Sequence, residues 1–161
     1  MDTHTFIEEF RFSGPNGWAT DEDIAKIQSF LDIGPDTARL WNFCGDAIQM
    51  VDTEPSRYSL KDSKICYETA IARFPNDPEA YESLGFWYDI QNEFALAETC
   101  FRNAMERSNS DSPVLGLARV LAQMGRRSEA LAALTQCSSP ELPEAISLTE
   151  EIRNGNWPPE H

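Results

Sequence analysis

Apolar side chains recur along most of this chain at intervals of three and four, the spacing of one face of an α-helix. Breaks in that rhythm fall at glycine, proline and short polar runs. Ile24, Ile27, Phe30 and Leu31 share one such face. The helix they predict begins near Thr20, whose hydroxyl can accept from free amides of the first turn, with Asp21 to Asp23 favoured there by the helix dipole. Gly34-Pro35 ends it, and Asp36 is then the expected N-cap of a helix that carries Trp41 and runs to about Val51. Further helices are predicted at about Ser59–Phe74, Pro78–Gln91, Glu93–Arg107, Pro113–Met124 and Arg127–Thr135. A last one, Pro143–Arg153, sets Leu142, Ala145, Ile146, Thr149 and Ile152 on one side. Residues 1–19 are expected to be irregular: the aromatic run Phe6, Phe10, Phe12, Trp18 is interrupted by Ser13-Gly14-Pro15-Asn16-Gly17, a loop signal.

The helices repeat. Tyr81, Leu84, Gly85 and Tyr88 fill a W-x2-L-G-x2-Y pattern, and Ala97, Phe101 and Ala104 fill A-x3-F-x2-A in the helix that follows. Upstream, Cys66, Tyr67, Ala70 and Arg73 match Cys100, Phe101, Ala104 and Arg107 at a separation of 34 residues. Trp41, Cys44, Gly45 and Ile48 open that earlier copy, and residues 52–57 read as an insertion in its inter-helix turn. Downstream, Val114, Ala118, Leu121, Gly125, Ala130, Leu134 and Cys137 make a third, degenerate unit, with Val114 in the Trp slot and Ala118 in the Gly slot. Over residues 38–140 the chain resembles the tetratricopeptide repeat (TPR), whose period is about 34 residues.

That resemblance implies an all-α fold, an α-α superhelix of helical hairpins forming a right-handed solenoid. Its parts would be an arm (1–19), an N-terminal capping helix and turn (20–37), repeats at about 38–77, 78–110 and 111–140, and a C-terminal capping helix and tail (141–161). End units of a solenoid need covering, which gives the first and last helices a role. Within a repeat, Gly85 would let two helix backbones approach, with Ala97 facing it. The arm would dock as a cap on the convex side or open end of the first repeat, or lie in the groove of its own or a second copy. Trp157 would fold back on the last helix or serve as a recognition motif.

Charge narrows the partners. Lys and Arg total 13 against 27 Asp and Glu, a net charge of −14. A surface this acidic repels phosphate backbones and anionic lipid, so nucleic acid and membranes are not expected and a basic or apolar peptide is. The start has no basic region followed by an apolar run, and no window approaches the length of a membrane span, so the default expectation is a cytoplasmic protein. Cys44, Cys66, Cys100 and Cys137 all fall on packing positions and read as small apolar spacers. His4 and His161 lie at the extreme ends, and phosphate-cradling glycine motifs and calcium loops are absent. No enzyme, cofactor or metal site is expected.

What remains is recognition. In proteins of the resembled kind, the first helices of successive repeats line a concave groove. Transferred slot by slot, the groove holds Asn42, Asp46 and Gln49, then Glu82, Phe86 and Asp89, then Leu115, Arg119 and, in place of the small Ala122, Gln123. Phe86 would anchor an apolar side chain of a ligand, or else touch the arm or a neighbouring helix. The repeats that grip chaperone carboxylates place lysine, asparagine and arginine at slots that here hold Asn42, Asp46, Ser83, Ser112 and Gly116, so that subclass is set aside. The expected function is non-catalytic binding of a peptide or helix from another protein, as an adaptor or scaffold. The alternatives are a small acidic secretion-type chaperone holding a client segment, or a unit that self-associates, as a homodimer, through its arm.

Overall fold

In the computed structural model, residues 1–52, 54–155 and 157 are described. The tail expected around residues 156 and 158–161, and Thr53 of the insertion, lie outside them. The helices, in order, are α1 Thr3–Glu9, α2 Asp21–Ile33, α3 Ala38–Gln49, α4 Leu60–Arg73, α5 Pro78–Ile90, α6 Phe94–Met105, α7 Ser112–Gln123, α8 Arg127–Leu134 and α9 Pro143–Asn154. The chain divides into two compact units, residues 1–83 and 84–161, with the division inside α5.

In the first unit, α3 packs along α4 and α2 packs on α3. The core is Ile24, Ile27, Leu40, Cys44, Ala47, Ile48 and Cys66. The buried ring of Tyr67 lies so close to α3 that a Cβ on Gly45 would come within 2.5 Å of it. Only a residue without a side chain allows that approach. Two helix starts follow the sequence closely. Thr20 and Asp23 form a reciprocal capping box, as do Ser59 and Asp62. The third differs by one residue: the N-cap of α3 is Thr37, whose hydroxyl accepts from the Leu40 amide, not Asp36. Asp36 instead accepts from the Trp41 indole at 2.8 Å and pairs with Arg73, whose guanidinium lies over the Trp41 ring.

The arm is a correction to the sequence reading. Residues 3–9 are helical, with the Asp2 side chain accepting from the Thr5 amide. Phe6 stacks on Phe30 at 4.0 Å, and Phe10 and Phe12 lie 5.6 and 5.9 Å from Phe43. Arg39 of α3 reaches back to Glu8 at 3.0 Å and His4 at 2.8 Å. The arm is thus a docked cap on α2 and α3. Its helix is too short to hold itself together, so the loop signal beside it masked a period that only packing sustains.

Behind the arm, Asp23 is fully buried and ties three segments together. Its carboxylate accepts from the Ser13 amide and hydroxyl and from the Thr20 amide and hydroxyl, at 2.8 to 3.1 Å. Burial pushes the Asp23 carboxyl up, but the bonds from Ser13 and Thr20 outweigh it and hold the pKa down at about 2, from 3.8. A depressed folded-state pKa contributes stability above the unfolded value that is lost as pH falls toward the folded one. The size is about 2 kcal/mol. In urea titrations the gap between wild type and Asp23→Asn should therefore close by about that much from roughly pH 5 down to roughly pH 2. A gap that stays constant would refute the arrangement.

In the second unit, α7 packs against α6 and α8, and α9 covers α7 and α8. Its core runs through Ala97, Phe101, Val114, Leu117, Ala118, Val120, Leu121, Ala130 and Ile152. Phe101 is the centre of it. A Cβ on Gly85 would meet its ring at 2.8 Å, and one on Gly116 at 2.5 Å. Gly85 thus makes room for the Phe101 ring, and Gly116 of the next hairpin makes room for the same ring. Gly125 and Gly155 close α7 and α9 at φ of 75° and 70°, which side chains beyond Cα disfavour. Trp157 packs back against this core.

Candidate functional site

The expected groove residues fall into two groups, one in each unit. In the first, Asp46 and Gln49 of α3 meet Tyr67 of α4. The Tyr67 hydroxyl donates to Asp46 Oδ1 at 2.7 Å and accepts from Gln49 Nε2 at 2.5 Å. This bond was not foreseen, because Tyr67 reads as a packing residue in the slot that Phe101 fills 34 residues later. The signal was present: a hydroxyl added to a buried aromatic slot demands a partner.

Solvent reaches Asp46, yet protein crowds its carboxyl and raises the pKa, with the Tyr67 bond pulling the other way. Glu79, at the start of α5, is raised too: first by crowding, then by Asp77 and Asp46, with Arg39 opposing and Glu82 adding. The acidic side chains thus share one electrostatic neighbourhood, in which the half-buried Glu82 takes part. Asn42 departs from expectation. It is wholly buried, and among the described residues neither its amide nitrogen nor its oxygen has a hydrogen-bond partner. The slot that should face a ligand is occupied by a side chain turned into the interior, because the helix faces that pack and the faces that bind overlap at this turn.

The second unit brings four expected residues together. Gln123 Nε2 donates to Asp89 Oδ1 at 2.9 Å, and the Arg119 guanidinium lies 3.7 Å from Asp89 Oδ2. The same guanidinium sits over the Phe86 ring, 6.0 Å from its centroid. Phe86 in turn meets Phe101 edge to face at 4.9 Å. Crowding raises the Asp89 carboxyl, and Arg119 and Gln123 hold it back. Arg119 keeps 42% of its side chain exposed, against 11% for Asp89, so the pair presents a positive group over an aromatic one with its counter-charge beneath. Phe86 therefore touches a neighbouring helix and still forms the floor under Arg119. Leu115 packs on the core of this unit and contributes shape more than surface.

These groups offer hydrogen-bond acceptors, a guanidinium and an aromatic face. All four cysteines are free and buried. Among the described residues, no helix is long and apolar enough to cross a membrane, and no three His, Cys, Asp or Glu side chains are grouped as metal ligands.

Neither a family model nor a curated protein matches the sequence. Among solved structures, the chain is similar to a thermophilic TPR protein of Thermus thermophilus, with a TM-score of 0.65 and 18% identity. The match covers 83% of this chain and 71% of that one. The fold is an all-α helical repeat of the TPR kind.

Proposed function

We propose that this protein is a non-catalytic interaction module that holds a peptide or helix of another protein against the first helices of its repeats. The observation that carries the reading is the cluster of Phe86, Asp89, Arg119 and Gln123. These residues come from two sequence-distant helices and meet as a half-exposed guanidinium over an aromatic ring, an arrangement that interface hot spots favour. Asp89 orients Arg119 instead of neutralising an exposed surface, since it is itself mostly covered. The acidic side chains of the first unit, together with a net charge of −14, favour a ligand that is basic as well as apolar.

The test is affinity capture with the full chain against Phe86→Ala combined with Arg119→Glu. Truncating the aromatic and reversing the charge should weaken capture of the bound set by at least about tenfold, since hot-spot truncations cost about 2 kcal/mol or more. Equal capture by both proteins would refute the assignment. The self-associating alternative has a specific obstacle: the arm would have to leave Phe30 and Phe43, on which three of its aromatic rings already pack.

A further inference from the structure

Two exposed helix faces, one in each unit, lack a neighbour and match each other. On the outer side of α2, Phe6, Ala25, Phe30 and Ile33 line a groove of about 440 Å3 along with Glu22 and Lys26. Ile33 stands 86% exposed at its end. Between α8 and α9, Leu131, Leu134, Pro140 and Ile146 line a second groove, of about 550 Å3, along with Glu150 and Arg153. Ile146 is 46% exposed, and Leu142, just before α9, is 39% exposed. The charged groups are available too: Lys26 reaches Asp23 at 3.4 Å but is itself largely exposed. Glu22, Glu150 and Arg153 are exposed, and no ion pair holds them among the described residues.

Run antiparallel, the two faces fall in register. Glu22, Lys26, Ser29 and Ile33 lie at offsets of zero, four, seven and eleven residues along α2. Counted backwards along α9, Arg153, Glu150, Ile146 and Leu142 lie at zero, three, seven and eleven. Such spacings keep each set on one helix face, and at a rise of about 1.5 Å per residue both faces span about 16 Å. Acid then meets base at one end, and aliphatic meets aliphatic at the other. On a chain of net charge −14, the alternation of sign answers locally the general repulsion between copies.

The repeat gives an independent reason for the pairing. α3 and α7 each open a hairpin that α4 and α8 close. In that alternation α2 is a closing helix, preceded only by the two-turn α1, which leaves its outer groove open. α9 is an opening helix, and no closing helix follows it among the described residues.

We infer that α2 of one copy and α9 of a second copy pair antiparallel and complete between them the hairpin that each lacks. Glu22 meets Arg153, Lys26 meets Glu150, and Ile33 meets Leu142. This goes beyond the peptide-binding reading and does not need it. The arm stays docked, because Phe6 remains stacked on Phe30 and forms part of the groove. The contact joins unlike faces, so association runs on into a chain or closes into a ring.

The test uses the full chain in sedimentation velocity and light scattering from about 10 µM to about 1 mM, where an interface of less than standard size becomes populated. Wild type should associate as concentration rises. Ile33→Glu and Ile146→Glu each put a carboxylate in one groove, and both should stay monomeric. Their melting temperatures should lie within about 2 °C of wild type, because both positions are exposed. Mixed in equal amounts, they should form a dimer that does not grow, since one supplies an intact α9 face and the other an intact α2 face. Glu22→Arg sets like charges together and should weaken association by about threefold, although it makes the chain less negative, and adding Arg153→Glu should restore it. Wild type that is monomeric at about 1 mM would overturn the inference, as would a mixture that stays monomeric. Association abolished by one glutamate and untouched by the other would mean that like faces meet, and would overturn the pairing of α2 with α9. Losses that add in the double charge swap would overturn the antiparallel register.

Discussion

Phe101→Ala should lower the stability of the protein by about 3 to 5 kcal/mol, the range for deleting a fully buried phenyl ring whose surroundings cannot collapse. Here they cannot, because the ring is wedged between two helix backbones at Gly85 and Gly116 and meets Phe86 on its edge. Neither glycine has a side chain able to swing into the void. For a chain of this size the loss corresponds to a fall in melting temperature of roughly 10 °C, to be read by calorimetry and urea titration. A companion change separates wedging from simple bulk. Gly116→Ala inserts a methyl where the ring already sits and should destabilise by about 1 to 3 kcal/mol, partly offset by up to about 1 kcal/mol from better helix propensity. Phe101→Leu should relieve most of that penalty, so the pair should show non-additive coupling in a double-mutant cycle. Additive losses, or a loss below about 1 kcal/mol for Phe101→Ala, would contradict the wedge.

The second large effect has the opposite sign. Asn42→Leu should raise stability by about 1 to 3 kcal/mol, since a buried amide with neither atom partnered carries a desolvation cost that an apolar side chain of similar size does not. Leucine also suits a helix interior better than asparagine. Urea midpoints of the variant against wild type read the effect, and destabilisation would show that the amide is satisfied.

The two groups of candidate residues, one in each unit, were not equally legible. Phe86, Asp89, Arg119 and Gln123 were chosen by position, because slots that follow a repeating pattern fall on one helical face whatever fills them, and the structure brings these four side chains together. Asn42 and Leu115 were chosen by the same rule and turned inward or onto the core. Position in the pattern gives an angle around the helix axis; it does not say how far a neighbouring element reaches over that angle. Glu79 and Arg39 were missed because the pattern assigns them no slot, and Tyr67 because its slot is defined by a ring and the hydroxyl was ignored.

By itself the sequence determined the helices from α2 onward, their order, and most of their ends. Those rest on local physics: apolar spacing, side-chain caps such as Thr20 and Ser59, and turns at Gly125 and the proline-rich run before Pro78. The tertiary structure alone decided that the arm coils into α1 against Phe30 and Phe43, that Phe101 is the ring to which Gly85 and Gly116 yield, and that Asp46 and Glu79 share a field while Asn42 is shut in beneath. Each of these depends on contacts between segments far apart in the chain, whose closeness no short window of residues encodes, and it is the energy of those contacts that overrides local preference.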